Sequence, residues 1–284
     1  MADLTVLILA QNEEKNIARC IHEVRGIAKR IVVVDSGSTD GTIEIAKKMG
    51  AEVLLHPWKN YATQYNWGIQ KANIQTKWIF RLDADEFLTK EVREEIELLC
   101  KENENTDVNG LVVRFTVNFL GRELRHGGIY PFRKLLIYKA DKGFMEDRNM
   151  DEHIVLTEGQ SIELKHDCIH QDFKDLTAWI DKHNKYSSRE VLDYFASTQK
   201  ESSSDYNKLD KKARFKRYVK FGIYYKLPLG MRAFLYYCYR YYFKLGFLDG
   251  KEGKIFTFLQ AYWYRFLVDA KIYEAKIGDR KENK

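Results

Sequence analysis

IVVVDSGSTDGTIEIA, residues 31–46, decides how this chain folds. Its opening run is apolar and unbroken, too uniform for a strand with one wet face, so it reads as a strand buried on both sides. Asp35 closes that strand, the turn formers SGSTDGT follow, and IEIAKKMG makes a short helix stopped by Gly50.

The same unit recurs on either side. TVLILA (5–10) is another doubly buried strand, with Asn12 placed to cap a helix that carries Ile17, Cys20, Ile21 and Val24 at helical spacing. AEVLLH is a third strand, Tyr61 to Ala72 a helix, and KWIFRLDAD a fourth strand. Regular alternation predicts an α/β fold, a mostly parallel sheet with helices on both faces. After the helix TKEVREEIELLCKEN the pattern changes. GLVVRFTVNFLG and FRKLLIYKA are strands joined by the polar RELRHGGIYP, so a first half over 1–100 hands over to a mixed half over 101–205. DLTAWIDKHNKYSSREVLDYF is a long helix, and from 206 to 284 composition shifts toward Lys, Arg, Tyr and Phe, which sets a domain boundary there.

The chain has 284 residues, 45% hydrophobic and 31% charged, an ordinary globular balance. Four widely spaced cysteines without a CxxC pair exclude a zinc ribbon and fit a reducing compartment. The N-terminus lacks a basic region before its short apolar run, so no signal peptide is expected. No uncharged stretch approaches the ~18 residues of a membrane-spanning helix. A cytoplasmic location follows as the expectation.

Ligands of an open α/β sheet bind outside the carboxyl ends of its strands. Here the first strand delivers Gln11, Asn12 and Glu13, the second Asp35, Ser36, Ser38 and Asp40, and the fourth Asp83 and Asp85. Each type favours caps and turns in its own right, but together they line one crevice. GxGxxG and GxxxxGK[ST] are absent, which disfavours dinucleotide and P-loop chemistry. Asp35 can accept hydrogen bonds from a base or ribose. Asp83 and Asp85 can face a diphosphate only across a cation, and hard oxygen ligands at a spacing of two suit Mg2+ or Mn2+.

VLILAQNEEKNIARCI, IVVVDSGSTDGTIEIA, NYATQYNWGIQKA and WIFRLDADEF, in this order, resemble a family 2 glycosyltransferase of the GT-A, Rossmann-like fold over roughly the first 200 residues. The resemblance implies an inverting transfer from a UDP-sugar. It places uracil and ribose at Gln11, Glu13 and Asp35, and the ribose and cation at Asp83 and Asp85. Ala10, Asn12, Ser38, Asp40 and Ala84 complete the implied nucleotide-sugar contacts. Lys59, Gln64, Asn66 and Arg81 border the same site, Arg81 being equally placed to pair with Asp83 or Glu86.

The catalytic base is expected from RNMDEHI, as Glu152 with Asp151 in reserve. The resembled subgroup, bacterial lipopolysaccharide-core and capsule transferases, carries His before Glu here, whereas this chain reads Asp-Glu-His. That leaves the choice between the two carboxylates open. HDCIHQDF adds His166 and His170, and His170 is the candidate third metal ligand. His56 and His126 have no assigned part.

Net charge is +6. Eleven Lys and Arg lie between Lys208 and Lys244 against one acid, Asp210, interleaved with Tyr and Phe and broken by Pro228 and Gly230. That pattern favours helices lying on an anionic membrane surface over a packed subdomain, and both over nucleic acid. The same helices also suit a homo-oligomer face.

The expected activity is sugar transfer from a UDP-sugar to a hydroxyl of a lipid-linked or lipopolysaccharide saccharide, with Mn2+ or Mg2+, at the inner face of the cell membrane. The rival readings are a nucleotidyltransferase, which wants a Gly-rich basic loop where AQNEEKN stands, and a non-catalytic sugar-nucleotide or membrane-binding protein.

Overall fold

The computed structural model describes residues 1–146, 153–170, 175–199, 222 and 224–282. It divides into two compact units, Met1–Arg125 with Ile129–Phe173, and His126–Gly128 with Lys174–Lys284.

In the first unit the alternation holds. β1 (Leu4–Ala10), α1 (Ile17–Val24), β2 (Arg30–Asp35), α2 (Thr42–Lys48), β3 (Glu52–Leu55), α3 (Tyr61–Ala72) and β4 (Trp78–Asp83) follow in order. β3, β2, β1 and β4 are hydrogen-bonded neighbours, all parallel. The two-sided burial read from the sequence has a direct cause. Leu4, Val6 and Ile8 pack with α1 and α4 (Lys90–Glu102) on one face, while Leu7 and Leu9 pack with Ala62 and Tyr65 of α3 on the other. At Gly68 of α3 a Cβ would stand 2.7 Å from Val34, so glycine lets this helix close on the sheet.

The mixed half extends the same sheet. β8 (Phe132–Lys139) runs antiparallel to β4 and to β6 (Val108–Phe119), and β11 (Gln160–His170) lies parallel to β6. β5 (Glu86–Phe87) leaves the end of β4 yet pairs with β11 at the far end of the strand order. The sheet therefore curls, bringing the ends of β4, β5, β8 and β11 together. β7 (Arg122–Leu124) pairs with β6, and β9 (Gly143–Met145) with β10 (Ile154–Leu156) forms a separate hairpin.

Asn12 does not cap α1, whose N-cap is Asn16, without a side-chain hydrogen bond. Asn12 instead adopts φ 55° and its carboxamide oxygen accepts from Thr39 N at 2.8 Å. His166 is also a structural residue. Its ring and backbone N–H, with Lys165 N, bond Glu95 of α4 at 2.8, 3.0 and 2.7 Å, tying α4 to β11. Burial pushes the Glu95 pKa up, but the two backbone donors and the imidazole more than offset it and hold it below the usual range. A depressed folded pKa contributes stability above the unfolded value and loses it below. The stability advantage of wild type over Glu95→Gln is thus expected in full above about pH 5 and to shrink as pH falls below about 4, read by urea unfolding at several pH values.

The second unit begins earlier than the composition shift at 206 indicated, because α5 (Leu176–Gln199) belongs to it. Val191 of α5, flanked by Tyr186, Tyr194 and Phe195, packs on Tyr264, Val268 and Ile272 of the last helix, Tyr264–Glu282. Pro228 and Gly230 do break the aromatic run: a 3-10 turn at Tyr224–Lys226 precedes the helix Met231–Cys238. Two basic residues of the aromatic run are internal. Arg232 (1% exposed) pairs with Asp269, and Arg240 donates to the Gly127 carbonyl at 2.6 Å. His126 bonds Asp249 through its backbone N–H and Nδ1, at 2.8 and 2.7 Å. Among the described residues no helix is long and apolar enough to cross a membrane.

Candidate active site

The loops after β1 and β2 are stitched to each other. Asn12 N donates to Ser38 Oγ at 2.8 Å, Glu13 N to Thr42 Oγ1 at 2.8 Å, and Glu14 N to Asp40 at 3.2 Å. Asp35 is fully buried, and its carboxylate accepts the N–H groups of Gly37 and Ser38 at 2.9 and 2.7 Å and the Ser38 hydroxyl. Asn12, Ser38 and Asp40 therefore hold the crevice wall in shape through their side chains. Gln11 is exposed at its rim, Glu13 half-buried, and Ala10 buried beneath.

Gln64, also fully buried, bonds His56 Nδ1 at 2.7 Å and Ser36 Oγ at 3.0 Å, while His56 stacks on Trp67 at 4.3 Å. His56 thus acquires a place, as the link from β3 to α3. Asn66 is turned to the hairpin, donating to the Met145 carbonyl at 3.2 Å. Lys59 is exposed.

Charged side chains gather at the end of β4. Arg81 resolves in favour of Asp83: its Nη2 lies 2.9 Å from Oδ2 and its Nε donates to the Tyr61 hydroxyl, which in turn donates to Oδ1. Lys134 Nζ stands 3.7 Å from the same Oδ2 and 2.6 Å from Glu86 Oε1. Glu86, fully buried, also accepts the Asp83 backbone N–H at 3.1 Å. Burial would raise the Asp83 pKa, but Arg81, then Lys134 and the Tyr61 hydroxyl, outweigh it and hold this carboxyl well below the usual range.

Asp85 differs. It occupies the turn between β4 and β5, half-buried beside the buried Ala84, and makes no hydrogen bond or ion pair among the described residues. His170 pairs across the strands with Glu86, and its buried Nδ1 has no hydrogen-bond partner among the described residues. Among the described residues no three His, Cys, Asp or Glu side chains gather into a metal cage. A carboxylate without a partner among the described residues fits Mg2+ or Mn2+, which are held by one or two carboxylates and complete their shell with water and phosphate oxygens, and the imidazole nitrogen is a further ligand better suited to Mn2+ than to Mg2+. Asp83, already saturated by two cations and a hydroxyl, is the poorer ligand.

Asp151 and Glu152 lie outside the described residues. Sequence reasoning missed Tyr61, Glu86 and Lys134 as site residues. A signal for Lys134 exists only in retrospect: Phe80 pairs with Ile137, and continuing that antiparallel register sets residue 134 opposite Asp83.

Residues 5–154 match the model of glycosyl transferase family 2. The lipopolysaccharide core biosynthesis glycosyltransferase LpsC of Rhizobium meliloti is 28% identical over 278 residues, covering 95% of this chain and 92% of that one. An uncharacterized glycosyltransferase of Rickettsia typhi is 27% identical over 212 residues, 72% of each chain. Among solved structures, a mannosyltransferase of Pyrobaculum calidifontis in complex with GDP-Man and Mn2+ aligns with a TM-score of 0.54 at 15% identity, covering 96% of this chain and 87% of that one. The strand order and the acidic strand ends agree with that assignment, and the chain belongs to glycosyl transferase family 2, with the GT-A fold.

Proposed function

We propose that this glycosyltransferase inverts a sugar from a UDP-sugar onto a hydroxyl of a lipid-linked or lipopolysaccharide saccharide, with Mg2+ or Mn2+ bound at Asp85 and His170. Two observations carry the reading: Asp85 has no hydrogen bond or ion pair among the described residues, and His170, which lies opposite its chain neighbour Glu86, keeps a buried Nδ1 without a partner among them. LpsC supports a lipopolysaccharide acceptor by its name, and the mannosyltransferase supports a metal-assisted nucleotide-sugar donor. The cation would supply charge neutralisation at the diphosphate. The base and ribose would lie along the rim at Asp35 and Asp83, whose carboxylates are already bonded within the protein. Glu152, or Asp151 beside it, takes the acceptor proton.

A panel of UDP- and GDP-sugars with Mn2+ or Mg2+, scored by nucleotide release, tests the donor. Failure with every sugar would sink the enzymatic reading. Glu152→Gln is expected to cut transfer by roughly a hundredfold or more while leaving nucleotide affinity unchanged. Wild-type rates in both Glu152→Gln and Asp151→Asn would place the base elsewhere.

Membrane association at the inner leaflet is part of the proposal. Its support is the exposed face of the second unit. Phe243 is 80% exposed and Phe234, Leu235, Tyr242, Phe247 and Leu248 are exposed with it, in a stretch, 224–248, that has two exposed cations, Lys226 and Lys244, and no acid. Sedimentation with vesicles containing anionic lipid is expected to retain the protein, and Phe243→Glu with Leu248→Glu to release it. Equal recovery of both from vesicles would leave these side chains to a homo-oligomer face.

A further inference from the structure

The proposed function gives no part to Lys134 or Glu86. Buried Glu86 needs a cation, and Lys134 supplies it at 2.6 Å. A counter-ion alone would not need the rest of the arrangement. The ammonium carries three donors and makes one hydrogen bond among the described residues, since Asp83 Oδ2 at 3.7 Å is beyond hydrogen-bonding range. The rings of Phe115 and Phe132, at 5.3 and 5.1 Å, hem it in. Its side chain keeps 20% exposure at the strand ends that carry Asp83 and Glu86. It is a fixed cation with unspent donors, not a fully enclosed one.

Charge decides what those donors want. The three acids of this strand end, Asp83, Asp85 and Glu86, are set against two cations, Arg81 and Lys134, which leaves one net negative charge among these five side chains. A divalent cation turns that into one positive charge. Without Lys134 the loaded site would be neutral, whereas removing Glu86 with it restores the one positive charge, so a double variant tests the ammonium's donors apart from net charge.

We propose that Lys134, held in place by Glu86, binds the diphosphate of the nucleotide donor and shares its neutralisation with the divalent cation. This rests on the nucleotide-sugar reading above. The test is calorimetric titration of the full chain with UDP and with GDP, each with Mn2+, for wild type, Lys134→Met, Glu86→Gln and the double variant. The double variant removes the buried pair together, so it folds even where Lys134→Met alone does not. Lys134→Met and the double variant are expected to bind the preferred nucleotide roughly ten- to a hundredfold more weakly, the scale of a charge-assisted hydrogen bond, with the melting temperature of the double variant close to wild type. Wild-type affinity in the double variant would make Lys134 a counter-ion only and overturn the proposal. Wild type binding neither nucleotide would overturn the donor reading itself, and this with it.

Discussion

Asp85→Asn is expected to lower sugar transfer by roughly a hundred- to a thousandfold, the cost of removing one electrostatic contact to developing charge, and to leave the melting temperature unchanged. The second half of that expectation comes from what Asp85 does not do. It makes no hydrogen bond or ion pair among the described residues, so the fold loses nothing with its charge. Asp83→Asn is the contrast. It strips Arg81, 10% exposed, of its carboxylate and weakens the acceptor of the Tyr61 hydroxyl, so stability and activity fall together. Titration of Mn2+ into the nucleotide-bound protein, followed by electron paramagnetic resonance, separates the two without relying on turnover. Asp85→Asn should lose the bound-metal signal and Asp83→Asn should keep most of it. Retention of metal by Asp85→Asn would move the ligand to another residue.

The contrast between those aspartates, Asp83 bonded to its neighbours and Asp85 without a partner among the described residues, marks what the sequence could and could not tell. Their position was legible, because an apolar run buried on both faces must lie inside a parallel sheet, and its polar end must emerge at the carboxyl edge. β1 sits between β2 and β4, with Ala10 beside Asp35 and Leu9 beside Asp83, which puts both aspartates on one rim. Their partners were not legible. Lys134 lies some fifty residues on, and its place depends on how far the sheet curls, which no local periodicity encodes. Tyr61 starts a helix and gives no sign of reaching across to Arg81.

Local turn chemistry explains the other gap. Asn, Asp and Ser serve the backbone next to them before any ligand. Asp35 caps its own turn and Asn12 secures the neighbouring loop, so the same letters that mark a binding crevice also build its walls. The C-terminal composition misled in a similar way. Arg232 and Arg240 look like two more charges on a basic surface, yet both are internal.

Arg232→Met is therefore expected to destabilise the second unit by about 3–5 kcal/mol, the cost of leaving a buried carboxylate unpaired. Asp269 is 2% exposed, accepts from Arg232 Nε at 2.7 Å and again from Nη2, and otherwise from Gly230 N at 2.8 Å. Without the guanidinium one N–H remains to hold a full charge away from water. Replacing both partners, Arg232→Met with Asp269→Leu, removes the charge as well as the pair. Its expected cost is only about 1–2 kcal/mol, mostly the stranded Gly230 N–H. Urea unfolding of the three variants gives the comparison, and additive losses in the double variant would refute the pairing. The same series bears on the membrane proposal. Arg232 anchors the helix Met231–Cys238, which presents Phe234 and Leu235 to solvent. Vesicle binding should fail in Arg232→Met and return in the double variant, because those side chains need the helix held in place rather than the arginine's charge.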